Sequence, residues 1–152
     1  MPVSEHIRQA VQQQNQGAMR MLLAFIGVHN GLFAALQRRG PLSVTELARA
    51  AEVDEAYVNR WCDAAYAFEL LDSDDDAGWR LTEWGEAFAP DTEGNLMPAA
   101  VGAVLTAHMG ERAAGLMKSG ERPGERVLGE RETVLPWFGP MLEANFGAIF
   151  EQ

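Results

Sequence analysis

Few residues of this chain have the type and spacing that catalysis or metal binding needs. The three histidines, His6, His29 and His108, lack the spacing of paired metal ligands. His108 and Glu111 are three residues apart and could meet on one helix face, more simply as a packed or exposed pair than as a general base. The single cysteine, Cys62, excludes an internal disulfide framework and is expected to be an inert core thiol. No nucleophile elbow, phosphate-cradling glycine loop or dinucleotide fingerprint is present, so we expect no catalytic residue, metal or bound cofactor on this chain.

One acidic segment has a spacing that suits calcium. Asp72, Asp74 and Asp76, with Glu83 eleven residues after Asp72, match the oxygen ligands of a helix-loop-helix calcium loop. The sixth position of such a loop needs glycine for its sharp turn, and here it is Ala77. The sequence therefore favours the alternative, an acidic hairpin tip exposed to solvent.

The first element that would position any site is an N-terminal helical pattern from about Ser4 to Gln37. Its apolar residues follow one stripe at steps of three and four, and a second apolar set widens the surface beyond one face. Gly27 and Gly31 predict a break or close packing near residues 27–31. A helix this apolar needs more than one neighbour, so we expect it to associate with a second copy of the chain. The predicted interface consists of Met19, Leu22, Leu23, Phe25, Ile26, Leu32 and Phe33.

A helix-turn-helix with a hairpin follows. The capping-box pattern from Ser43 to Glu46 predicts a helix over Val44–Ala51, and Asp54 caps a further helix to about Leu71. An acidic turn between two short apolar stretches, around residues 70–82, predicts a β-hairpin wing, and one or two helical turns follow as far as Pro90.

The charge of these elements argues against nucleic acid as a partner. The first 40 residues carry four arginines and one glutamate, whereas residues 41–152 carry eight basic and 21 acidic side chains. The helix that would enter a DNA groove and the wing beside it are both acidic and would repel phosphates. We therefore expect the helix-turn-helix to serve as a scaffold.

The C-terminal third is predicted to hold a helix over Leu96–Met117, a polar loop over residues 119–132, and a final helix over Met141–Phe150. Its large apolar residues could form core, dock onto another domain, or line a pocket for an aromatic or polyketide-like molecule. The predicted pocket wall consists of Leu105, His108, Met109, Trp137, Phe138, Met141 and Phe146.

Composition sets the remaining bounds. The chain has 152 residues, is 47% hydrophobic and carries a net charge of −10, which suits an ordinary globular domain. No apolar run approaches the roughly 20 residues that span a bilayer, and the N-terminus is too polar for a signal peptide. We expect a cytoplasmic protein without a membrane partner.

Four stretches resemble the N-terminal dimerisation domain of small-molecule O-methyltransferases that use S-adenosylmethionine (SAM). They are GLFAAL at 31–36, GPLSVTELA at 40–48, YVNRW at 57–61, and LLD at 70–72 followed by WRLTE at 79–83. The matching part runs from about Gly31 to Phe88, over a third of the chain.

The resemblance implies a mainly α fold: a winged helix-turn-helix with a small β-hairpin wing, N-terminal dimerisation helices and C-terminal helices. It implies dimerisation helices in residues 1–40, the winged helix in 41–92, and in 93–152 a helical segment that caps the acceptor pocket and leads to a Rossmann-like catalytic domain. That domain, which binds SAM and performs methyl transfer in the family, is not in this sequence, so we expect SAM in a following or partner domain. No family catalytic residue can be assigned here.

Two hypotheses remain. The first is a dimerisation and substrate-capping domain of a SAM-dependent methyltransferase, which forms a homodimer and shapes the pocket of a small-molecule acceptor. The alternative is a stand-alone winged-helix protein, either a small-molecule-binding protein or a transcriptional regulator.

Overall fold

The fold is built from six helices and one β-hairpin in the part of the chain that the computed structural model describes, residues 2–74 and 78–120, without the Asp74 side chain. The chain divides into two units after Ala100, and the core described below lies in the first. The mainly helical class with a small two-stranded sheet is confirmed. The elements are α1 (Glu5–His29), α2 (Leu32–Arg39), α3 (Val44–Ala51), α4 (Glu55–Ala67), β1 (Leu71–Asp74), β2 (Gly78–Leu81), α5 (Glu83–Glu86) and α6 (Met97–Ser119).

The predicted break in the first helix is present, and the two glycines there have different roles. Gly31 adopts a left-handed conformation, φ 68°, which separates α1 from α2. Gly27 is in helical conformation but permits close packing, because a Cβ there would collide with the Phe33 ring and lie 2.6 Å from Trp61. No single described helix is long and apolar enough to cross a membrane, and α1 with α2 passes that test only as a pair bent by 71°.

The capping box that predicts α3 is present. The Ser43 hydroxyl accepts from the backbone N–H of Glu46, and the Glu46 carboxylate accepts from the backbone N–H of Ser43 at 2.9 Å. Asp54 caps α4 in the same manner by accepting from the backbone N–H of Tyr57 at 3.1 Å. Helix, turn, helix and hairpin therefore follow one another in the order expected from the sequence.

The prediction that α4 continues to about Leu71 is wrong, because this helix ends at Ala67. Glu69 takes a left-handed conformation, φ 63°. The backbone N–H of Leu70 then reaches the carbonyl of Ala65 at 2.8 Å, and that of Glu69 reaches Tyr66 at 3.0 Å, which is a Schellman ending. Such endings are usually marked by glycine, and a glutamate at this position gives no stop signal in the sequence.

The hairpin is antiparallel, with Leu71 opposite Leu81 and Asp72 opposite Arg80. Leu42 adds a short bridge to Trp79 through two backbone hydrogen bonds of 3.0 and 2.8 Å, so the hairpin is tied to the start of α3. The Asp72 carboxylate is paired with Arg80 across the strands. This arrangement is the hairpin alternative to a calcium loop, and the predicted ligand Asp76 lies outside the described residues.

The core of the first unit forms where the second half of α1 meets α2, α3, α4 and the hairpin. Phe33 lies at its centre, edge-on to Trp61 at 5.5 Å between centroids and 6.0 Å from Phe88. The buried Trp61 indole donates to the carbonyl of Leu23 at 3.0 Å, which satisfies its N–H and fixes α4 against α1.

Of the later predicted elements, two are present in the described residues and the rest lie wholly or mostly outside them. Thr82 caps α5 by accepting from the backbone N–H of Gly85 at 3.1 Å. The predicted Leu96–Met117 helix is α6. The predicted polar loop, apart from Ser119 and Gly120, and the final helix lie outside the described residues, and the three-part division of the chain stays a prediction.

Candidate functional site

The two halves of α1 have different surroundings. We call residues 5–19 the arm and residues 20–29 the base. Every arm residue is exposed except Ala10, which is half-buried. In the base, Leu23, Ala24 and Gly27 are buried against the core. The arm therefore extends as a helix whose side chains have almost no cover from the described residues.

The arm carries an apolar stripe on the side of α1 that faces away from the core. Ile7 and Val11 are four residues apart, and Leu22 continues the same face three turns further along. At 3.6 residues per turn, Leu23 and Gly27 lie on the opposite side of the helix. The exposed stripe, with fractional exposures, consists of Ile7 (53%), Val11 (49%) and Leu22 (40%). Val3 (59%), which precedes the helix, and Met19 (46%), which lies nearer the core side, are also exposed.

The structure divides the predicted interface residues into three groups. Met19 and Leu22 are exposed, and Phe25 and Ile26 are half-buried. The other three, Leu23, Leu32 and Phe33, are 7%, 2% and 1% exposed in the core of their own chain.

Those three positions are therefore not available to a second chain in this conformation, because their side chains are already buried in the core of the first unit. Ile7 and Val11 were not among the predicted interface residues, and the structure leaves both exposed on the arm. Their spacing of four residues along a polar helix was the signal that could have identified them.

An apolar groove of about 340 Å³ lies beside the end of α1. The buried Trp61 and Val58 of α4 form part of its lining. Asp54 and Asn30 are polar residues in its lining. The residues that line it are Ile26, Asn30, Leu32, Val53, Asp54, Tyr57, Val58 and Trp61.

The outer face of α4 is acidic. Asp54, Glu55 and Asp63 are exposed, and the guanidinium of Arg60 lies 6.0 Å from the Tyr57 ring. The expectation that DNA is not the partner rests on this charge, since the helix would meet phosphates with negative charge, and it stays a prediction.

Three of the seven predicted pocket-wall residues fall on described helix α6. Leu105 is buried, His108 is half-buried and Met109 is 38% exposed, and their spacing places them on one helix face. Trp137, Phe138, Met141 and Phe146 lie outside the described residues. The acceptor pocket therefore stays a prediction.

The described residues offer little for chemistry. Burial raises the pKa of the Cys62 thiol to about 12, so this group is not a thiolate at neutral pH. Within residues 2–74 and 78–120, no group of three or more His, Cys, Asp or Glu side chains could hold a metal ion. The features that stand out are two apolar surfaces, namely the stripe and the groove.

Fold and site together define a mainly helical domain with exposed apolar side chains along its first helix. Residues 14–91 match the model of the O-methyltransferase dimerisation domain family. The chain belongs to this family, which confirms the resemblance found in its sequence.

One solved structure shows the same fold. It is the crystal structure of human N-acetylserotonin methyltransferase in complex with SAM, with a TM-score of 0.63 and 17% sequence identity. The match covers 96% of this chain and 48% of that chain, so this chain spans about half the length of the human enzyme. No curated protein sequence matches this chain.

Proposed function

We propose that this chain forms a homodimer through the stripe on α1 and serves as the dimerisation part of a SAM-dependent small-molecule O-methyltransferase. The observation that carries the proposal is the exposed stripe of Ile7, Val11 and Leu22 on the side of α1 opposite its own core, with Val3 and Met19 also exposed nearby. Membership of a family named for dimerisation supports it.

The arm has a physical reason to associate. Isolated helices shorter than about 12–15 residues are marginal in water, and most helical stability comes from packing an apolar face. The arm is of this length, contains Gly17, and packs almost nothing in its own chain. Burying one Ile, Val or Leu side chain contributes about 1.5–3 kcal/mol, so pairing two stripes would stabilise both arms.

A matched pair of substitutions tests the dimer. Val11→Asp puts a charge into the stripe, whereas Gln16→Asp puts the same charge on the opposite, exposed side of the same helix. In sedimentation equilibrium we expect dimers for the natural chain and for Gln16→Asp, and at least tenfold weaker association for Val11→Asp, since a buried unpaired charge is costly. Monomers at micromolar concentration for the natural chain would contradict the proposal.

In this proposal the methyl donor SAM does not bind to this chain. The human relative is a SAM complex and is about twice as long as the matched part. We propose that SAM binds a catalytic domain outside this sequence and that Leu105, His108 and Met109 of α6 help to cap the acceptor beside it. Calorimetric titration of this chain with SAM should show no binding. Heat of binding at micromolar SAM would place the donor site in this chain and overturn this part.

A further inference from the structure

The turn between α1 and α2 holds an asparagine directly before a glycine. Asn30 and Gly31 form this turn, and no other asparagine in the sequence is followed by glycine. Asparagine is a thermally labile residue, because the backbone nitrogen of the next residue can attack its side-chain amide carbon. Glycine in the next position has no side chain to hinder that attack. The dipeptide is therefore a candidate for modification by its own backbone.

The reaction is a deamidation that needs only water. The Gly31 nitrogen loses its proton and bonds to Cγ of Asn30, while the bond from Cγ to Nδ2 breaks and ammonia leaves. Solvent water then opens the resulting cyclic imide. Opening at one carbonyl gives aspartate, and opening at the other gives isoaspartate, in which the main chain runs through the former side chain.

The folded turn keeps the reacting atoms apart. Closure of the imide requires Cβ of Asn30 and the nitrogen of Gly31 to be eclipsed about the Cα–C bond of Asn30. At the observed ψ of 7° the backbone nitrogen of Asn30 occupies that eclipsed position instead. Ring closure therefore requires the chain to rotate about this bond, away from the observed turn.

Both reacting groups are also held by hydrogen bonds at the end of α1. The Asn30 side-chain nitrogen donates to the carbonyl of Ile26 at 2.8 Å. The backbone N–H of Gly31 donates to the carbonyl of Val28 at 3.1 Å. These two bonds hold the amide and the attacking nitrogen in the unreactive arrangement.

Rotation at Asn30 would also move α2, which begins directly after Gly31. Its first two side chains, Leu32 and Phe33, are 2% and 1% exposed in the core of the first unit. The ring therefore closes only when the junction of α1 and α2 opens. The rate of such a reaction follows the population of the opened form.

The product fits this turn poorly. Aspartate at position 30 puts a negative charge at the C-terminal end of α1, where the helix dipole favours positive charge, and it lacks the donor to Ile26. It would also share the lining of the groove with the carboxylate of Asp54. Isoaspartate lengthens the main chain by a carbon atom between two helices whose ends are fixed by the core.

We propose that Asn30 is a deamidation site that the α1–α2 turn protects: the amide is lost when the turn opens, and the product then hinders the turn from closing again. This inference does not depend on the proposed homodimer or on the location of SAM.

Peptide mapping of the full chain by mass spectrometry tests the site. The natural chain is incubated at mildly alkaline pH, folded in one sample and unfolded in urea in the other. Asn59 is the internal control, since it is exposed on α4 and precedes an arginine. We expect Asn30 to convert well before Asn59 in urea, and at least about tenfold more slowly in the folded chain, because opening must precede the reaction.

Equal rates at Asn30 in the folded and unfolded samples would overturn the protection by the turn. Conversion of Asn59 as fast as that of Asn30 in urea would overturn the assignment of the site.

A matched pair of variants tests the effect of the product. Asn30→Asp and Asn59→Asp make the same exchange of an amide for a carboxylate, one at the turn and one at an exposed position of α4. We expect the thermal unfolding midpoint to fall by about 4–8 °C for Asn30→Asp and by less than half as much for Asn59→Asp. Equal midpoints for the two variants would overturn the claim that the product hinders closure.

Discussion

The arm and the base of α1 belong to one uninterrupted helix, yet they are stabilised in different ways. In the base, Leu23 and Ala24 pack into the core, and the carbonyl of Leu23 receives the Trp61 indole. In the arm, the apolar side chains Ile7 and Val11 face solvent. The comparison teaches that one helical pattern can serve two purposes: the base holds the protomer together, and the arm presents a surface whose stability depends on association.

The largest effect is expected between the two faces of α1, at adjacent leucines of the base. Leu23→Ala should lower the free energy of unfolding by about 2–5 kcal/mol, because it leaves a cavity beside Trp61. Leu22→Ala, at an exposed position, should change the unfolding of the monomer by less than about 0.5 kcal/mol. Urea denaturation at low protein concentration measures both. Equal losses would show that the two faces of α1 are not distinct.

Two glycines of the same helix give the next contrast. Gly27→Ala should destabilise by about 1–3 kcal/mol, because the new methyl group collides with the rings of Phe33 and Trp61. Gly17→Ala meets no atom within 4 Å and should raise helix stability by about 0.5–1 kcal/mol. Thermal unfolding followed by circular dichroism should show shifts of opposite sign. A loss of thermal stability at both positions would mean that other residues also pack against the arm.

Two arginines extend the comparison to polar contacts. Arg20 donates to the carbonyl of Phe68 at 2.9 Å and to Glu69 at 2.6 Å, and lies 4.4 Å from the centre of the Trp84 ring. Arg20→Ala should cost about 1–2 kcal/mol, because the carbonyl at the end of α4 loses its donor. Arg8→Ala in the arm should cost less than about 0.5 kcal/mol in the monomer. Denaturation midpoints of the two variants should therefore differ clearly.

The smallest expected effect is on the pH dependence of stability, and it comes from two carboxylates outside α1. Hydrogen bonds from the Ser43 hydroxyl and backbone hold the pKa of Glu46 below its usual value. The pairing with Arg80 lowers the pKa of Asp72. Both carboxylates stabilise the fold above their unfolded pKa, and this contribution is lost as the pH falls through the lowered values.

Glu46→Gln should therefore reduce the acid dependence of the unfolding midpoint while keeping the capping hydrogen bonds. Midpoints measured at a series of pH values between neutral and about pH 3 provide the test. If the unfolding midpoint of Glu46→Gln falls with pH as steeply as that of the natural chain, Glu46 does not contribute to the acid dependence of stability.

The sequence predicted the elements whose signals are local. The capping box at Ser43 and the break at Gly31 are short-range patterns, and both are present in the structure. The end of α4 could not be predicted, because Glu69 takes a left-handed conformation that its residue type does not indicate.

Which apolar residues of α1 face the core and which stay exposed was harder to predict, for another reason. Composition shows that α1 and α2 are too apolar for one face, but it does not show which face the core takes. Leu23 and Phe33 therefore belonged to the predicted interface although they lie in the core. Ile7 lay outside the predicted interface and is exposed, although its spacing of four residues from Val11 along a polar helix was a signal in the sequence.

Hydrogen exchange of the arm at several protein concentrations tests the central claim most directly. If the arm is a stable helix only when paired, the backbone amides of residues 9–17 should be protected at high concentration. Their protection should fall on dilution through the dimer dissociation constant, while the amides of α4 stay protected throughout. Protection of the arm that is the same at every concentration, or absent at all of them, would contradict the account.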